Sequence, residues 1–189
     1  MYTFPAPAGD LCGRTMPYLW KLHPALAVSA GDSIEIPARR IQLESEFLGS
    51  LGGGPLEWNS PLLTLPDRTV DLRIVPPASS REVHFFYGLD LREGWCAAYD
   101  TARRLAVGLA FPRELFTSCW LFASYGGWRE HYVAVLEPST AWPFRLERAA
   151  GAGQCAHLSP YGYQEAEVVF STRSGLDGVS GINSDGEIY

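Results

Sequence analysis

Short apolar runs recur along the chain, with glycine, proline, aspartate and serine between them. "VDLRIV" (Val70 to Val75) alternates apolar and polar positions with the period of two that a half-buried strand shows. "VHFFYG", "GWCAAYD", "LAVGLAF", "SCWLFAS", "YVAVL" and "EAEVVFST" repeat the signal less cleanly. Their spacing, roughly one run every 8–12 residues, is that of a β-sandwich or barrel. "ALAVSAGDSIEIPA" predicts a hairpin, with Ala25 to Val28 and Ser33 to Ile36 flanking turn residues Gly31 and Asp32. "DTARRLA" lies between two runs and reads as their connection, and "GVSGINSDGEIY" predicts a last hairpin turning at Asp185-Gly186. Two stretches read as loops. Leu48 to Asp67 carries "GSLGGGP" with Pro55, Pro61 and Pro66, and Pro76 to Arg81 is a second break. The glycine-rich stretch lacks the Lys-Ser/Thr of a phosphate-binding loop, so it predicts a flexible connection. No long segment holds a helical period, and neither a repeat nor a linker divides the chain. The pattern predicts an all-β protein with residues 1–189 as a single domain.

Composition narrows this picture. A chain of 189 residues with 47% hydrophobic and 19% charged residues can build a core and is not disordered. The net charge of −6 argues against nucleic acid or an anionic membrane as the main partner. Among fifteen basic residues, Lys21 is the sole lysine. The start, "MYTFPAPAGD", has neither a basic n-region nor an apolar h-region, and no apolar run approaches the ~20 residues of a membrane helix. Cys12, Cys96, Cys119 and Cys155 lie far apart without a CxxC pair, which reads as reduced structural thiols in a cytoplasmic protein. Cysteine and histidine do not cluster as a zinc site requires.

Three features carry candidate chemistry. In "YVAVLEPST", an apolar run ends in Glu137 just before Pro138. A charge at a strand end ordinarily meets solvent or an arginine. The functional reading is a partly desolvated carboxylate facing a cleft, with raised proton affinity, ready to act as a base. His23, in "MPYLWKLHPALAV", precedes Pro24, which pushes it into an extended conformation. That fixes the imidazole's direction, as a turn brace or as a catalytic acid. The stretch "WLFASYGGW" sets Trp120, Tyr125 and Trp128 beside a Gly-Gly turn, just before the Glu137 strand. Such rings are mostly core, yet a flat ring beside polar groups also suits the apolar face of a sugar. Arg129, His131 and Arg145 are nearby hydrogen-bond donors. No serine sits in a G-x-S-x-G elbow, and His84 and His157 read as strand residues.

Four segments together resemble the galactose mutarotase-like superfamily, the aldose 1-epimerases and their relatives. "LWKLHPALAVSAGDSIEIPA" resembles its Trp-x-x-His-Pro segment, and "WLFASYGGWREHYVAVLEPSTAWPFRLERA" its later strand ending in Glu-Pro. "GLDLREGWCAAYDTARRLAVGLAF" resembles the hairpin between them, and "HLSPYGYQEAEVVFST" the closing strand pair. Order and spacing agree over most of the chain. The resemblance implies an antiparallel β-supersandwich, partial or truncated, corresponding to the C-terminal two-thirds of an aldose 1-epimerase-like fold. It implies an isomerase that interconverts the α and β anomers of a free sugar by acid/base ring opening, without cofactor or metal. Glu137 matches the family's base and His23 its acid, facing one cleft a sugar ring apart. Trp20, Trp120, Tyr125, Trp128 and Arg129 become candidate sugar contacts. Relatives are longer at the N-terminus, so a homodimer or pairing with a separate N-terminal portion is expected. The alternative reading is a non-catalytic carbohydrate-binding or interaction domain on the same scaffold. A sugar lyase ranks third, because the sequence offers no compelling cluster of a Tyr or His base with an Arg or Asn that would neutralise a substrate carboxylate.

Overall fold

The computed structural model describes residues 13–46 and 55–189. In chain order the strands are β1 (Met16–Tyr18), β2 (Ala25–Leu26), β3 (Ser33–Glu35), β4 (Arg40–Leu43), β5 (Pro55–Glu57), β6 (Leu62–Thr64) and β7 (Thr69–Asp71). A 3-10 turn, Ala78–Ser80, leads to β8 (Glu82–Leu89), β9 (Trp95–Asp100), β10 (Leu105–Ala110), β11 (Ser118–Tyr125) and β12 (Tyr132–Ser139). The helix α1 (Leu146–Gly151), β13 (Ala156–Leu158) and β14 (Val169–Ser174) complete the described elements.

All pairings among the named strands are antiparallel. One sheet runs β2-β12-β11-β8-β4-β5 and a second runs β14-β10-β9-β3. Strand alternation decides what lies between them. On β11, Cys119, Leu121, Ala123 and Tyr125 turn inward to meet Phe86 of β8, Leu136 of β12, and Cys96 and Leu109 of the smaller sheet. The other face of the smaller sheet is also covered. Trp95, Ala97, Tyr99 and Ala106 pack there against Ile182 and Ile188 of the C-terminal segment. Gly108 makes that contact close, since a Cβ there would stand 2.3 Å from the Ile182 Cδ1. The outer face of the larger sheet carries Phe85, Tyr87, Leu89 and Trp120, with Leu19, Phe122, Trp142 and Phe144 packed on them.

Several expectations are corrected. Ala25 to Ile36 is not a hairpin. β2 pairs with β12 in the larger sheet, whereas β3 pairs with β9 in the smaller. The turn at Gly31 therefore hands the chain from one sheet to the other, and the Gly31 N–H donates to the Val75 carbonyl at 2.9 Å. Part of the expected loop Leu48 to Asp67 is strand, because β5 pairs with β4 and β6 with β7. Its glycine-rich part lies outside the described residues, as does Cys12. The run "VDLRIV" is strand only as far as Asp71. Asp71 then accepts from the Arg73 N–H and guanidinium, which turns the chain. Cys96 and Cys119 are buried free thiols and Cys155 is half-buried. Among the described residues no helix is long and apolar enough to cross a membrane, which leaves strand-built membrane proteins unaddressed.

Candidate functional site

The pairing of residues 20–26 with β12 builds the site. Ala25 pairs with Val135 and Leu26 with Ala134, and a bridge joins Lys21 to Ser139. The same register sets His23 opposite Glu137. Directly opposed residues share a sheet face, so His23 and Lys21 stand on the outer face with Glu137. On its other side Glu137 pairs with Trp120, Trp120 with Tyr87, and Tyr87 with Gln42. One row therefore crosses the sheet as His23, Glu137, Trp120, Tyr87 and Gln42.

Glu137 is 1% exposed, and both its oxygens are engaged. Lys21 Nζ donates to Oε2. His23 Nε2 lies 3.3 Å from Oε1, and the His23 side chain is 57% exposed. The Lys21 ammonium also lies 5.0 Å from the centre of a Trp120 ring, within cation–π range. Burial raises the Glu137 carboxyl above its ordinary value, and Lys21 and then His23 oppose that rise. Tyr87, next but one in the row, donates its hydroxyl to the buried Glu44 carboxylate. Burial and then that contact hold the phenol far above its usual range. Among the described residues no three histidine, cysteine, aspartate or glutamate side chains group as metal ligands.

The other expected site residues divide by strand parity. Trp120 is in the row. Trp128 extends the aromatic face, edge-on to Phe122 at 5.9 Å and 39% exposed. The Arg129 guanidinium lies 5.3 Å from the Trp128 ring, at the solvent side of that face and away from Glu137. Tyr125 is not on this face. It is five residues from Trp120, so it points inward, where its ring meets His84 edge-on at 4.9 Å. Trp20 is also turned away, since it is an odd step from both Lys21 and His23. It packs edge-on against Phe116 at 5.2 Å, yet it lines an apolar groove of about 360 Å³ that His23 also borders, with Leu22, Pro24, Leu109 and Phe170. The expected sugar-ring separation of imidazole and carboxylate is not present, because cross-strand neighbours touch. Sequence reasoning missed Lys21, Tyr87, Glu44 and Gln42. A signal for Lys21 existed in its being the one lysine, an even step from His23.

No family model matches the chain, and no match was found among curated proteins. Solved structures do match. The Slr1438 protein from Synechocystis sp. PCC 6803 superposes with a TM-score of 0.63 and 18% identity, over 87% of this chain and 47% of that one. A candidate aldose 1-epimerase from Klebsiella pneumoniae subsp. pneumoniae MGH 78578 gives a TM-score of 0.63 and 12% identity, over 85% and 39%. Another from Escherichia coli K12 gives 0.61 and 18%, over 86% and 52%. The chain thus carries the aldose 1-epimerase-like, galactose mutarotase-like antiparallel β fold. It spans about half, or less, of the length of these structures.

Proposed function

We propose that the chain binds a free aldose and interconverts its α and β anomers, with Glu137 as base and His23 as acid. One observation carries this reading. A buried carboxylate with raised proton affinity stands beside an exposed imidazole on an aromatic-lined sheet face. Ionised Glu137 takes the proton of the anomeric hydroxyl. The freed O–H pair forms the C1 carbonyl, the bond from C1 to the ring oxygen breaks, and that oxygen takes a proton from protonated His23. Rotation of the aldehyde and the reverse steps give the other anomer. The reaction as written uses acid and base alone.

The imidazole has to leave the carboxylate by the width of a sugar ring, and its exposure gives it room. The Trp120 ring offers apolar surface to the sugar's C–H face once the Lys21 ammonium moves off it, and Trp128 with Arg129 extends that face farther from Glu137. The names of the Klebsiella and Escherichia structures support the reading at fold level. Activity of the whole protein belongs to this proposal, as do a cytoplasmic setting and completion of the cleft by a second copy or a further N-terminal portion. A non-catalytic sugar-binding domain is the second reading, and the enclosure of Glu137 with both oxygens engaged favours it.

NMR magnetisation exchange between anomers, across a panel of free sugars, tests the proposal. Exchange by the wild-type chain, absent from Glu137→Gln, supports it. Sugar binding without exchange selects the second reading.

A further inference from the structure

We propose that Lys21 is a positioning residue that caps Glu137, pairing its ammonium with the carboxylate and shutting it from solvent until a ligand displaces the ammonium. Its last clause rests on the sugar-binding reading above, and the rest does not.

Three observations converge on it. Lys21 contacts the Glu137 oxygen that His23 leaves open, so the two side chains close the carboxylate between them. The same ammonium stands over Trp120, which is itself fully buried. One flexible side chain therefore covers both the candidate base and the ring beside it. Lys21 is anchored at its backbone, where it bridges Ser139 and its neighbour Leu22 donates to the Pro138 carbonyl at 3.0 Å. Its side chain is nonetheless 30% exposed, so the ammonium can swing into water while the strand stays in place.

The electrostatics assign the cap a second effect. Burial alone would push Glu137 toward its neutral form, which is no base. The charged or titratable side chains around it are few. Lys21 and His23 come from the paired segment, the Cys119 thiol belongs to β11 but faces the opposite side, and the Tyr87 hydroxyl is spent on Glu44. Lys21 makes the larger of the two opposing contributions to the Glu137 carboxyl. Removing it leaves a buried carboxylate with only His23 for support.

The test needs no sugar. The side-chain carboxyl carbon of Glu137 is followed by ¹³C NMR against pH, its signal identified by its absence in Glu137→Gln. Lys21→Met should move the titration midpoint upward by about one pH unit or more, the ordinary effect of losing an opposite charge at contact. Lys21→Arg, which keeps the charge, should stay near the wild type. If Lys21→Met does not fold, acetylation of Lys21 in the folded wild type removes the same charge, and the chain has no other lysine. A midpoint that does not move when the charge is lost overturns the cap. A moved midpoint in a chain that exchanges no sugar anomers keeps the cap and removes the mutarotase reading. The two ideas therefore fail separately.

Discussion

Among the described residues a carboxylate, an imidazole and an aromatic ring meet on each face of the larger sheet, and the two places differ in the exposure of the imidazole and in the direction of the carboxyl's shift. On the outer face of the larger sheet are Glu137, His23 and Trp120. On its inner face are Glu82, His84 and Tyr125, where His84 Nε2 and a Glu82 oxygen lie 2.7 Å apart. His84 is 0% exposed. Its Nδ1 and the Tyr125 hydroxyl are buried and find no hydrogen-bond partner among the described residues. The His84 hydrogen bond, ahead of other causes, holds Glu82 below the ordinary carboxylate range. Glu137 is shifted the opposite way, by burial. The inner imidazole is fully buried and its carboxylate also pairs with Arg68, whereas the outer carboxylate is covered by Lys21 and by an imidazole that reaches solvent. Residue types alone do not make a site. Parity on the strand, and what covers that face, decide which pair can meet a ligand.

The comparison can be broken by substitution, and the largest effect is expected in the outer dyad. Glu137→Gln should lower the anomer-exchange rate by about 10²- to 10⁴-fold, the usual worth of a proton-transfer group, while unfolding stability changes by under about 1 kcal/mol. A large loss of stability in a urea titration would make Glu137 structural. In the inner dyad, His84→Ala should cost about 2–4 kcal/mol by the same assay, since it opens a cavity and leaves the buried Glu82 to its ion pair with Arg68. His23→Asn should slow exchange by about 10²-fold at unchanged stability. Normal kinetics in that variant would return His23 to bracing the turn. Trp128→Ala should weaken sugar affinity by about tenfold, or ~1.4 kcal/mol, and titration calorimetry reads that directly. The smallest effect is that of Tyr125→Phe. Removing an unsatisfied buried hydroxyl should leave stability equal or higher by up to about 1 kcal/mol, with exchange unaffected. A drop in sugar affinity would place Tyr125 at the site after all.

The two carboxylates should also answer pH with opposite signs. Glu82 titrates lower in the folded than in the unfolded chain. Its contribution is present above the unfolded value near 4.3 and is lost as pH falls through the folded one. Glu137 titrates higher when folded. Its contribution is present below the unfolded value and is lost as pH rises through the folded one. Unfolding midpoints of Glu82→Gln and Glu137→Gln from about pH 3 to pH 7 separate the two.

The strands were legible where apolar residues crowd. β8 to β12 and β14 fall on runs visible in the amino-acid order, because burying such runs is what forms the sheets. Their partners were less visible. Ala25 to Ile36 looks like a hairpin because a turn signal is local, whereas the pairings of β2 with β12 and of β3 with β9 join residues far apart in the chain. β5 and β6 were hidden by the prolines and glycines around them. At the site, the odd separation of Trp120 and Tyr125 already places them on opposite faces. The contact between His23 and Glu137 depends on a register that no short stretch encodes.

The most direct test of the account sets the two dyads side by side. Anomer exchange is measured by NMR for Glu137→Gln and Glu82→Gln in one sugar that the wild type turns over, with rates scaled to the folded fraction of each sample. The account predicts exchange abolished in Glu137→Gln and retained in Glu82→Gln once scaled. Equal loss in both, or loss in Glu82→Gln alone, would contradict the claim that the outer face, and not the buried dyad, is where this chain meets its sugar.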